Sequence, residues 1–175
     1  KLVLPHAIGV GAEFHTLQLI AVAHAALGQA GEATKALARL EARAGLLPSE
    51  REIRRVQWTR GRIAFERGDA AGAVAELDKA VSMLPPHGPP IGPPSGHVDL
   101  WYDAALARMR VGRDADAAAL LERIQSGHER ALATEAWARS FFLLGQIAER
   151  RGDHVRAREQ YARFLELWRD GDLER

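Results

Sequence analysis

Residues 54–84 read RRVQWTRGRIAFERGDAAGAVAELDKAVSML. Ile53, Val56, Ile63 and Ala64 keep helical spacing up to Gly68. Gly68 suits the left-handed residue that closes a helix, and Asp69 suits the N-cap of the next. A second amphipathic run follows through Val74, Leu77, Val81 and Leu84. Pro85-Pro86 ends it, because proline lacks a donor and clashes with the preceding turn. The stretch therefore predicts a helix–glycine–helix hairpin. Upstream, Ser49 with Glu52 three residues later forms a capping-box pattern, which starts the first helix near residue 50.

The same hairpin recurs. Gly28, Gly68, Gly112 and Gly152 are separated by 40, 44 and 40 residues. Each has an alanine five residues on (Ala33, Ala73, Ala117, Ala157) and a large side chain nine on (Leu37, Leu77, Leu121, Tyr161). A pattern held at this spacing is the mark of a repeat protein. The units are expected at residues 14–44, 54–84, 98–126 and 138–169, in a single repeat domain over 1–175. The first helix of the fourth unit is expected to begin near Glu129. Residues 85–97 hold six of the eight prolines and predict a surface loop between units two and three. A docking arm for an aromatic-lined groove is the alternative for that loop.

Composition narrows the function classes. Hydrophobic residues make up 47 %, enough for a core. The 24 basic and 23 acidic side chains leave a net charge of +1. Nothing in that balance attracts nucleic acid or an anionic membrane. There is no cysteine, so disulfides and thiolate metal sites are excluded, while the compartment stays open and cytoplasm fits. No apolar run reaches the roughly 18 residues of a membrane span. The chain starts at Lys1 without a methionine and reads as a piece of a longer protein.

The units resemble tetratricopeptide repeats. That family carries bulky residues at repeat positions 4, 7, 11 and 24, and small ones at 8, 20 and 27. Unit two matches at Gly61, Ala73, Leu77, Ala80 and Pro85, and unit four at Phe141, Leu144, Gly145, Ala157 and Tyr161. Unit three matches at Trp101, Ala105, Ala117 and Leu121, and unit one at Leu17, Ala21, Ala33 and Leu37. Arg60, Arg108 and Phe164 depart from the pattern. The resemblance implies an all-α, right-handed superhelix of about four repeats. A solenoid of another helix-pair type is the alternative. The last unit is similar to the C-terminal repeats of bacterial signalling proteins that join a serine/threonine kinase or a transcriptional regulator to such an array. Kinase motifs are absent from this chain.

In that family the first helix of each repeat lines a concave binding face. The resemblance implies that Arg55, Trp58, Arg62, Phe65 and Glu66 face it in unit two. In unit three it implies Asp99, Tyr102, Leu106, Met109 and Arg110, and in unit four Arg139, Phe142, Gln146, Glu149 and Arg150. Unit one would contribute His15, Gln18, Val22 and Ala25. Aromatics with arginines have the make-up of a binding hot spot. The Lys and Asn of the chaperone-tail clamp are missing, with Gln18, Val22, Thr59 and Asp103 in those places.

Candidates for chemistry fail on spacing. His6, His15 and His24 are nine apart and fall on opposite sides of a helix, and His87, His97, His128 and His154 lie in or near loops and helix starts. No metal site, cofactor or catalytic group is expected, and none of the five serines sits in a Gly-x-Ser-x-Gly frame. The run Arg54, Arg55, Arg60, Arg62, Arg67 allows either acidic-ligand binding or a solvated face paired with Glu50, Glu52 and Glu66. The expected function is therefore a non-catalytic scaffold for a protein or peptide, not an enzyme. Self-association through an apolar end near Phe164, Leu167 and Trp168, or small-molecule sensing, are the alternatives.

Overall fold

The computed structural model describes residues 4–46, 49–85, 97–126 and 135–169, with side chains from Glu13 onward. Among them every regular element is helical. In order these are α1 (Leu4–Ala26), α2 (Ala30–Leu46), α3 (Glu50–Glu66), α4 (Ala70–Ser82), α5 (His97–Arg110), α6 (Asp114–Ser126), α7 (Glu135–Arg150) and α8 (His154–Trp168). They pair in sequence: α1 with α2, α3 with α4, α5 with α6, and α7 with α8. The chain divides into two compact units, Lys1–Pro85 and Pro86–Arg175. Of the loop expected at 85–97, residues 86–96 lie outside the described residues, as does the expected helix start at Glu129, while His97 is already the first residue of α5.

One turn makes all four hairpins. The glycines at 28, 68, 112 and 152 have φ of 72°, 80°, 76° and 75°, a region that costs a residue with a Cβ. The amide after each glycine closes back on the helix it leaves. Asp69 N–H donates to Ala64 O at 2.9 Å, Gln29 to His24 at 2.8 Å, Arg113 to Arg108 at 2.9 Å and Asp153 to Ala148 at 2.9 Å. This is the Schellman closure, which satisfies carbonyls a helix end leaves open. The next helix starts at once. Asp69 accepts from Gly72 N–H at 2.8 Å and Asp153 from Arg156 N–H at 3.0 Å. Ser49 Oγ likewise accepts from Glu52 N–H at 3.3 Å, so α3 begins where the capping pattern predicts.

Hairpin packing needs small residues where helices cross. A Cβ on Gly61 would lie 2.5 Å from Leu77 Cγ, and one on Gly145 would lie 2.5 Å from the Tyr161 ring. Ala21 and Ala105, at the same repeat position, are fully buried. In the first unit α3 packs on both α1 and α2. Val56 joins Phe14, Leu17, Leu40 and Ala44, while Ile63 sits among Ala21, Ala25, Ala33 and Ala36. In the second unit α7 packs on α6 and α5, burying Leu143, Leu144 and Ile147.

The departures from the repeat pattern have physical reasons. Arg60 is exposed and pairs with Glu41 of α2 at 2.7 Å. Arg108 donates to Asp116 O at 3.3 Å. Phe164 stacks between Phe142 and Trp168, each at 5.3 Å between ring centroids. α1 starts ten residues ahead of the expected unit boundary, at Leu4 rather than 14.

Candidate binding face

The residues expected to line a face fall into two groups, one in each compact unit. Arg55, Trp58, Arg62 and Phe65 lie at spacings of three and four along α3, which places them on one side of the helix. All four are half-buried. Arg62 pairs with Glu66 at 3.2 Å one turn on. Burial lowers the proton affinity of Arg55, with Arg51 and Arg54 adding to the effect and Glu52 opposing it. Arginine stays charged under such shifts, so Arg55 is a partly desolvated cation.

The rest of that basic run is structural. Arg54 donates to Met83 O at 3.0 Å and so fastens the end of α4. Arg60 joins Glu41, and Arg67 donates to Ala30 O at 3.0 Å and to Thr34 Oγ1 at 3.2 Å. Three of the five arginines therefore tie helices together.

In the second unit Tyr102, Leu106 and Arg110 form a row on α5, and Arg139, Phe142 and Gln146 form one on the neighbouring α7. Leu106 and Gln146 are half-buried, and Arg110 is exposed. Arg139 joins the rows. It hydrogen-bonds Tyr102, pairs with Glu135 at 2.7 Å, and holds its guanidinium 6.0 Å from the centroid of the Trp168 ring. Burial raises the pKa of the Tyr102 hydroxyl, and Arg139 pulls it back. The phenol is therefore protonated at neutral pH and polar at its tip.

Phe142 faces α8. Its ring meets Tyr161 at 5.7 Å and Phe164 at 5.3 Å, and Phe164 meets Trp168 at 5.3 Å. An aromatic ladder thus runs from Tyr161 to Trp168 and ends at Arg139. Phe142 remains 38 % exposed, so the ladder is open on one side. By repeat position Phe164 and Trp168 lie apart from the expected face. Their four-residue spacing opposite Phe142 was the available signal.

Several expected face residues have other tasks. Gln18 and Ala25 are buried, Ala25 against Ile63 in the inter-hairpin core. Thr59 and Asp103 are buried as well. Arg150 bonds both oxygens of Asp114 in α6 at 2.8 and 2.9 Å, and Glu149 accepts from the Tyr161 hydroxyl at 2.9 Å. His97 is buried at the start of α5, 5.7 Å from the Trp101 ring, and is not a loop histidine.

Among the described residues no three His, Cys, Asp or Glu side chains gather as a metal site. No described helix is long and apolar enough to cross a membrane. No model of a known protein family matches the chain, and no curated protein matches it.

Proposed function

We propose that the hairpins are tetratricopeptide-type repeats, with the right-handed winding that family implies, and that they form a non-catalytic scaffold. The ligand is a peptide or protein segment laid along the first helices of the hairpins, and the chain is the docking part of a larger bacterial signalling protein. The observation that carries this reading is the Arg139 cluster. A guanidinium is held by the Tyr102 hydroxyl and Glu135 against the face of Trp168, with the half-open Phe142 ring nearby. Pre-positioned aromatics bury area at small entropic cost, and arginine forks onto carboxylates. The Trp58, Arg62 and Phe65 row of α3 has the same make-up.

Peptides selected by display on the folded 175-residue chain test it. Trp58→Ala and Phe142→Ala should each weaken a selected peptide by about 1–2 kcal/mol in calorimetric titration, with helicity unchanged by circular dichroism. Binding that is insensitive to both substitutions overturns the reading.

A further inference from the structure

α1 carries a stripe that no described helix covers. Leu19 is 56 % exposed, Ile20 40 % and Leu27 70 %, and Thr16 and Ala23 are exposed beside them. Between residues 13 and 27 the chain has a single ionised side chain of the Asp, Glu, Lys or Arg type, Glu13. A solvated helix face is ordinarily polar, so this stripe calls for an explanation.

The repeat supplies it. Counted back from the turn glycine, Thr16, Leu19 and Ala23 coincide with Val56, Thr59 and Ile63 of α3, and with Ser140, Leu143 and Ile147 of α7. Those six are all buried, with none above 7 % exposure. Val56 and Ile63 enter the apolar clusters of the hairpin ahead of them, and α7 likewise packs on the hairpin ahead of it. Leu19 and Ala23 of α1 thus present the same kind of plug, with no socket on them among the described residues.

A matching socket lies on α8. Counted forward from the glycine, Leu40 and Ala44, which receive Val56, coincide with Phe164 and Trp168. Leu40 is fully buried, whereas Phe164 and Trp168 are half-buried. The rim is matched in polarity too. At the junction of α2 with α3, Arg60 pairs with Glu41. The residue of α1 equivalent to Arg60 is Ile20, and the residue of α8 equivalent to Glu41 is Leu165, 65 % exposed. Where the internal junction has an ion pair, α1 and α8 carry two exposed apolar side chains.

The geometry points to head-to-tail self-association, with α1 of one copy seated on the outer face of α8 of the next. The contact joins two different surfaces, so it is heterologous and either closes into a ring or runs on as an open series. It goes beyond peptide binding: Ile20, Leu19 and Leu165 lie outside the two face groups, while the socket residues Phe164 and Trp168 are shared with the Arg139 cluster.

Sedimentation velocity of the 175-residue chain over a concentration series reads the outcome. The mass should grow past that of a monomer as concentration rises. Ile20→Glu and Leu165→Glu should each weaken association at least about tenfold while keeping the helical spectrum, since both side chains are exposed. Mixed together, these two variants should form one-to-one pairs and nothing larger, because each keeps the surface the other has lost. The double variant Ile20→Arg with Leu165→Glu, which copies the Arg60–Glu41 pair, should associate again. A monomer at every concentration overturns the proposal. So does a dimer that Ile20→Glu abolishes and Leu165→Glu leaves intact, which would place α1 on a different occupant.

Discussion

At Gly61 a single missing methyl sets the distance between two helices. Leu77 Cγ occupies the place where a Cβ would be, and Leu77 N is 3.2 Å from it, so backbone as well as side chain would have to move. Gly61→Ala should therefore cost about 1–3 kcal/mol through overpacking, read as a lower urea midpoint at unchanged slope. Gly68, in the turn, differs in kind. Its added Cβ would meet nothing within 4 Å, but its φ of 80° would strain any alanine there. The first glycine is required by a neighbour and the second by its own backbone. The sequence made the turn glycines legible through their even spacing and the crossing glycines through the recurring repeat positions. It left the role of Arg60 and Arg108 unread, because an arginine on a helix shows nothing of the carboxylate or carbonyl that folding brings to it.

Helices here are joined by apolar plugs with ion pairs at the edge. Arg43 with Glu13 ties α2 to α1, Arg60 with Glu41 ties α3 to α2, and Arg156 with Glu122 ties α8 to α6. The bidentate pair of Arg150 with Asp114 ties α7 to α6. Its hydrogen bond holds the Asp114 carboxyl below the usual carboxylate range, against a smaller opposing effect of burial. An unfolded Asp titrates near about pH 3.9. The folded value is lower, so the pair contributes its full stability above that pH and loses it as pH falls through the folded value. Asp114→Asn should cost about 0.5–1 kcal/mol at pH 7, a small figure because the pair is partly solvated. The gap between variant and parent should narrow below about pH 4, as urea midpoints at pH 7 and pH 3 would show. A gap that persists at pH 3 would mean that the asparagine disturbs packing instead.

Within each compact unit the helices are unequally supported. In the first, α3 touches α1, α2 and α4, while α1 touches α2 and α3. In the second, α7 touches α5, α6 and α8. Repeat arrays add their stability from neighbour to neighbour, so a helix with more neighbours opens less often. Amide hydrogen exchange should be slower in α3 than in α1, and slower in α7 than in α8. The reverse order in the first unit would mean that the exposed stripe of α1 is covered in solution. That outcome would agree with head-to-tail contact and should disappear in Ile20→Glu.

The sequence by itself determined the helical hairpins. Turn glycines, caps and apolar spacing act over a few residues, and Gly28, Gly68, Gly112 and Gly152 all turn where their spacing places them. It also determined which side of α3 holds Trp58, Arg62 and Phe65, since that follows from helical geometry alone. Only the tertiary structure decided what each side meets. Gln18 and Ala25 went into the core, Arg150 went to Asp114, and Phe164 and Trp168 joined Phe142 in one ladder. Those partners are more than twenty residues apart along the chain, and their pairing depends on how one helix leans on another. That lean comes from the joint packing of several side chains, and helical periodicity, which repeats every few residues, carries no record of it.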